Sequence, residues 1–174
     1  MKIKVKLSNI DEAIKAIEDY EKRLEKKRKT FIERLSEIGV ETARVSFREA
    51  QYDGDNDVVV SDGEWLDDNR FVFSATGRSV TFIEFGAGVH YSSPPHPKAD
   101  EFGFTRGSYG HGLGKLDSWR YEGNPGTNGE VITSGEHKGQ IRTQGNPANR
   151  CMYEAGKEMR NKIKEIAKEV FGSD

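Results

Sequence analysis

The chain lacks the cysteines, the long apolar runs and the net basic surplus that would tie it to an oxidising compartment, a membrane or a nucleic-acid backbone. It has one cysteine, Cys151, in 174 residues. An intrachain disulfide is therefore excluded, and the usage fits a reducing compartment. No apolar run approaches the roughly 18 residues of a membrane span. The first nine residues, MKIKVKLSN, are basic and alternating but hold no apolar stretch of the kind a signal peptide needs. Neither charge sign dominates: 27 Lys and Arg stand against 29 Asp and Glu, a net charge of -2. Nothing global attracts phosphate backbones or anionic lipid. Hydrophobic residues are scarce at 34% and charged residues abundant at 32%, so the core is modest and part of the chain is poorly buried. The length fits one domain, 1–174.

What is present falls into four stretches: a helix over about 9–50, a sheet over about 57–86, a glycine-rich loop over about 86–145 and a C-terminal helix over about 147–171. Lys2–Leu7 alternates lysine with Ile3, Val5 and Leu7 and reads as a short edge strand. Ser8 or Asn9 then caps a helix that carries Asp11 and Glu12 in its first turn. Its apolar stripe runs through Ile10, Ile14, Ile17, Leu24, Phe31, Leu35, Ile38 and Val45. About 40 helical residues would span about 60 Å, more than a body of this size. The helix therefore breaks near the basic run Lys26–Lys29 or at Gly39, or it projects. The charge run Glu21–Lys29 reads as a solvated face.

Asp62-Gly63, between Val58–Val60 and Trp65-Leu66, is a hairpin signal. Arg70–Ala75 and Val80–Phe85 follow as further strands of an antiparallel meander. Val80–Phe85 is apolar on both faces and reads as the central strand, with Glu84 inside it and Gly86-Ala87-Gly88 ending it. A buried carboxylate there needs donors. The amides of the Gly86–Gly88 turn are nearest in the chain, and Arg142 or Arg150 would supply a guanidinium. Gly86–Gly145 holds 13 of the 19 glycines and four of the five prolines. It also carries Tyr91, Tyr109, Trp119 and Tyr121, so it is not composed like simple disorder. Ser118–Tyr121, Glu130–Thr133 and Gln140–Thr143 are candidate short strands within it. Asn146-Pro147-Ala148 starts the last helix, whose apolar face is Met152, Ala155, Met159, Ile163, Ile166, Ala167 and Val170. The fold class expected is α+β: two helices packed on a small antiparallel sheet, with a long glycine-rich loop.

No catalytic or cofactor motif is complete. Asp53, Asp55, Asp57 and Glu64 match positions 1, 3, 5 and 12 of a calcium loop, but Val58 stands where that loop needs glycine and a hairpin follows where it needs a helix. His90, His96, His111 and His137 lack the spacing of a zinc site. Cys151 sits in a core-like pattern and reads as a buried thiol. Gly107–Lys115, GSYGHGLGK, has the composition of a phosphate loop without its Ser or Thr. Glu84 with Asp100 or Glu101 would be a hydrolytic pair only if the fold brought them together. No cofactor and no metal is expected.

Four stretches carry a resemblance: FIEFGAGVHY (Phe82–Tyr91), the run at Gly107–Lys115, Trp119-Arg120-Tyr121, and GNPANRCMYEAGKEM (Gly145–Met159). Together, and in this order along the chain, they resemble the neck or tail-completion proteins of tailed bacteriophages and prophages, also described as minor tail or virion morphogenesis proteins. Ala87 stands where that family often has threonine. The resemblance implies a non-enzymatic structural subunit that forms a ring with copies of itself, commonly six or twelve, at the head–tail interface or tail top. It implies neighbouring head-closure, tail-terminator or tail-tube proteins as partners, DNA only by passage through the lumen, no membrane, and assembly in the host cytoplasm before incorporation in the virion. The residues expected to matter for structure and assembly are Phe82, Glu84, Phe85, Gly86, Gly88, Trp119, Tyr121 and Pro147. The rival readings are a small tail-associated cell-wall hydrolase and a monomeric binding module or assembly chaperone.

Overall fold

In the computed structural model, residues 10–91, 94–104 and 116–172 are described. The Lys2–Leu7 strand, the Ser8 or Asn9 cap and the Gly107–Lys115 run lie outside them. The fold class is α+β: a long N-terminal helix, a C-terminal helix and small antiparallel sheets.

α1 (Ile10–Arg48) is continuous through both the basic run and Gly39. At 39 residues it is about 58 Å long. α3 (Cys151–Phe171) has 21 residues, about 32 Å, and packs antiparallel against the C-terminal half of α1. The direction is fixed by side-chain pairs at each level: Phe31 meets Phe171 with ring centroids 5.7 Å apart, Arg34 Nη2 lies 2.5 Å from Glu169 Oε2, and Gly39 leaves room for Met159. Leu35, Ile166 and Val170 form one core cluster. Val40, Ala43 and Phe47 of α1 form a second with Val60, Ile83, Cys151 and Ala155. N-terminal to Phe31 the seam has no α3 opposite it. Ile10, Ile14, Ile17, Tyr20 and Leu24 are 42–52% exposed, and Ala13 is the one buried residue on α1 before Leu35. The helix projects; it does not break.

The expected meander is replaced by a kinked two-stranded ribbon. β1 (Val59–Val60) pairs with β4 (Ala75–Thr76), and β2 (Glu64–Asp67) with β3 (Arg70–Val72). The turn lies at Asp68-Asn69, where Asp67 Oδ1 accepts the Asn69 amide at 2.9 Å and Oδ2 accepts Arg70 Nε at 2.6 Å. Asp62-Gly63 is not the hairpin turn. Arg44 of α1 reaches across to Asp62 Oδ1 at 2.5 Å and the Val60 carbonyl at 3.1 Å, and the Phe71 ring covers Gly63 so closely that a Cβ there would lie 2.3 Å from it. A local turn signal yields here to tertiary contacts.

Val80–Phe85 is a helix, α2, and not the central strand. A run of six residues of which four are apolar fits a buried helix as well as a strand, and its two ends decide between them. At the start, Asp57 accepts the amides of Arg78 and Ser79, each at 2.9 Å. At the finish, Gly86 at φ +84° serves as C-cap, with its amide on the Phe82 carbonyl. Phe82 therefore faces away from Glu84, because a helix advances about 100° per residue where a strand alternates.

The expected glycine-rich loop carries a three-stranded sheet. β5 (Trp119–Tyr121), β7 (Ile141–Thr143) and β6 (Glu130–Val131) lie side by side in that order, all antiparallel. They match the three candidate strands read from the sequence. Asp53 ties this sheet to the 52–57 segment: its Oδ1 accepts the Asn128 amide at 2.8 Å and its Oδ2 the Thr143 hydroxyl at 2.6 Å.

Asp57 makes stability pH-dependent in a defined direction. The Ser79 hydroxyl, then the Arg78 and Ser79 amides, hold its carboxyl far below the ordinary 3.8. A depressed folded-state value means stabilisation that is present above 3.8 and lost as pH falls below it. Asp57→Asn should therefore melt below wild type near neutral pH, with the gap closing as the pH is lowered towards about 2. A gap that stays constant across that range would assign Asp57 no such role.

Candidate functional site

The two stretches most specific to the resemblance, Phe82–Gly88 and Gly145–Ala155, are zipped together. Ala87 and Asn146 exchange backbone hydrogen bonds, 2.9 and 3.1 Å. The carbonyls ending α2 are taken up in turn: Phe82 by Asn146 Nδ2 at 2.9 Å, Ile83 by the Asn149 amide at 2.9 Å and by Asn149 Nδ2 at 3.2 Å, Glu84 by the Arg150 amide at 3.1 Å. Asn149 also accepts the Gln51 amide and donates to the Gln51 carbonyl, so the end of α1 joins the same clasp. Pro147 does not begin α3, which starts four residues later at Cys151. Its carbonyl accepts Asn146 Nδ2 and Asn149 Nδ2. Gly86, Gly88 and Gly145 all have positive φ. Close backbone approach forbids a side chain at Gly145, where a Cβ would lie 2.1 Å from the Ala87 carbonyl oxygen, and at Gly86, where it would lie 2.7 Å from the Ala148 nitrogen.

Glu84 is the pin of this clasp. Its side chain is 7% exposed. Oε2 accepts the Met152 amide at 2.8 Å and Oε1 the Tyr153 amide at 3.0 Å. These are orphan donors at the start of α3. The N-cap residue, Arg150, sits left-handed at φ 58° and has no acceptor in its side chain. A carboxylate from another helix thus does the capping, and it gains from the positive end of the α3 dipole. The third partner is His96, buried with Glu84: Nε2 lies 3.1 Å from Glu84 Oε1. His96 Nδ1 accepts the Lys98 amide at 3.0 Å, which places a ring proton on Nε2, facing the carboxylate. The Phe85 ring stacks 4.4 Å from His96 and 4.2 Å from Phe104. The expected partners of Glu84 are corrected: neither the Gly86–Gly88 amides nor Arg142 nor the Arg150 guanidinium holds it.

Sequence reasoning missed His96 and Asn149. His96 was one of four loop histidines without metal spacing, and its one available signal was the need of a buried Glu84 for a donor. Cys151, beside the pin, is buried. Burial, then the Glu84 charge, pushes its thiol up to about 12, so it stays protonated and a poor nucleophile. Among the described residues no cluster of three or more His, Cys, Asp or Glu is arranged to hold a metal, and no helix is long and apolar enough to cross a membrane.

Phe82, Trp119 and Tyr121 meet elsewhere, on the other side of α2. With Tyr52 and Ala87 they line a cleft of about 530 Å³ whose polar lining includes Asp53, Asp55, Asp57, Glu122 and Arg78. Trp119 and Tyr121 share one face of β5, and Trp119 packs against Gly88 and Gly145, within 3.1 Å of where their side chains would begin. The Tyr121 hydroxyl donates to the Asn124 carbonyl at 2.6 Å. Burial, then Asp53, Tyr52 and Asp55, pushes its phenol up to about 12. Tyr52 is raised by burial and by Asp57, Asp53 and Asp55 in that order. The expected site residues therefore divide between the clasp (Glu84, Phe85, Gly86, Pro147) and the cleft (Phe82, Trp119, Tyr121), with Gly88 touching both.

This is an α+β protein whose short helix and C-terminal helix are locked at one buried carboxylate, with the end of the long helix joined through Asn149, beside an acidic aromatic cleft. No family model matches the chain, and no curated protein or solved structure matches it either.

Proposed function

We propose that the chain is a structural subunit of a tailed phage or prophage, a ring-forming neck or tail-completion component at the head–tail interface or tail top. The observation that carries this reading is the projecting half of α1. α3 ends beside Phe31, and an apolar stripe through Ile10, Ile14, Ile17, Tyr20 and Leu24 continues beyond it with large side chains about half exposed. A stripe of this kind is covered by packing against another helix or sheet, and repetition of one such contact around an axis closes a ring. The clasp supports the same reading, because it unites the two stretches that resemble the family. The hydrolase reading draws no support from Glu84, whose two oxygens are filled by the α3 amides and His96. In this reading the subunit assembles in the host cytoplasm, contacts head-closure, tail-terminator or tail-tube proteins, and meets DNA only in the lumen.

The charged fraction of 32% keeps the free subunit soluble. Light scattering across a concentration series should therefore give a monomer or small oligomer when dilute and a rising mass when concentrated. A tight dimer persisting at nanomolar concentration, or a monomer at every concentration and in the presence of neighbouring virion proteins, would overturn the proposal.

A further inference from the structure

We infer that the cleft between α2, β5 and the 52–57 segment is a binding site for a basic side chain, a lysine or arginine presented by a partner protein. The inference stands independently of ring formation. Its first support is shape and lining. About 530 Å³ lies within the range of about 300–1,000 Å³ typical of ligand sites. Tyr52, Phe82, Trp119 and Tyr121 give it an apolar, aromatic wall, suited to an aliphatic stem and to a cation over a ring face.

The second support is charge. Among the described residues, four carboxylates line the cleft against one guanidinium. Asp53 and Asp57 are held by amides and hydroxyls that leave their charge in place. The guanidinium, that of Arg78, belongs to a side chain 95% exposed, with its Nε 3.4 Å from Asp57. Asp55 and Glu122 are exposed and line the cleft from two separate segments: one from the loop after α1, the other just past β5. Burial first, and after it the carboxylates of the 52–57 segment, raise the phenols of Tyr52 and Tyr121. A cation entering here meets aromatic rings and an excess of carboxylates among the described residues of the lining, which is the complement of a lysine or arginine and the opposite of a phosphate or carboxylate site.

The test uses Trp65→Phe, which leaves Trp119 as the only tryptophan of the two. Its fluorescence is titrated with the capped tripeptide acetyl-Gly-Lys-Gly-amide, the arginine analogue, and the leucine and glutamate analogues. Expected is a saturable change with the lysine and arginine peptides, at an affinity of about 1 mM or tighter, weakened by salt. The Asp55→Asn/Glu122→Gln double variant, which removes exposed charge and leaves the clasp untouched, should weaken binding about tenfold while keeping the wild-type melting temperature. An absent response, equal binding of the glutamate or leucine peptide, or an unchanged affinity in the double variant would overturn the inference. So would a Trp119 change driven by protein concentration alone, which would assign the cleft to a second copy of the chain.

Discussion

Glu84→Leu is expected to cost about 3–5 kcal/mol and to lower the melting temperature accordingly, because it leaves buried donors without an acceptor. The Met152 and Tyr153 amides lose the carboxylate that accepts them, and His96 loses its partner. α3 then starts without a cap, since Arg150 has no acceptor to offer. Glu84→Gln keeps one acceptor oxygen and the shape, but it loses the charge at the helix terminus and turns a donor towards donors. Its cost should be about 1–3 kcal/mol. The order Leu worse than Gln worse than wild type, read by chemical denaturation, is the signature of a capping carboxylate. Wild-type stability in both variants would make Glu84 a dispensable group and remove the physical basis of the clasp.

The second large effect is expected on assembly and not on folding. Ile14→Glu with Leu24→Glu places two carboxylates on the projecting stripe, at side chains 50% and 44% exposed. Neither residue belongs to either core cluster, so the monomer should melt as wild type. In the assembled state each charge would be buried against a neighbour, at a cost of several kcal/mol per charge. The mass increase with concentration should therefore disappear. The contrast with Glu84→Leu is the informative part: one pair of changes removes assembly without destabilising, the other destabilises a subunit whose arm is intact. If the stripe variants assemble like wild type, the arm is not the interface.

How much of this was legible depends on where the deciding interaction lay. α1 and α3 announced themselves because their apolar periods are long and local, and the structure adds that the α1 seam continues past its partner. The strands at Trp119, Glu130 and Ile141 were legible from short β-rich segments between glycines. Val80–Phe85 was not, because a short, mostly apolar run serves either structure, and the choice is made by Asp57 from one side and by Asn146 and Asn149 from the other, over 60 residues away in the chain. The Asp62-Gly63 turn signal was genuine but weaker than the hold of Arg44 on Asp62 and the Val60 carbonyl. The demand of Glu84 for a partner was legible; the partner was not, since it is a set of backbone amides exposed only when α3 begins at Cys151. Cleft and clasp draw on the same expected residues, yet α2 being a helix separates Phe82 from Glu84 and sends them to different sites.

Electron micrographs of the negatively stained protein, taken at the concentration where its mass stops rising, test the central claim most directly. The account predicts closed rings of uniform subunit number in the wild type and none in the Ile14→Glu/Leu24→Glu variant. Isolated particles of monomer size at high concentration and also with neighbouring virion proteins added, or open filaments in place of rings, would contradict it.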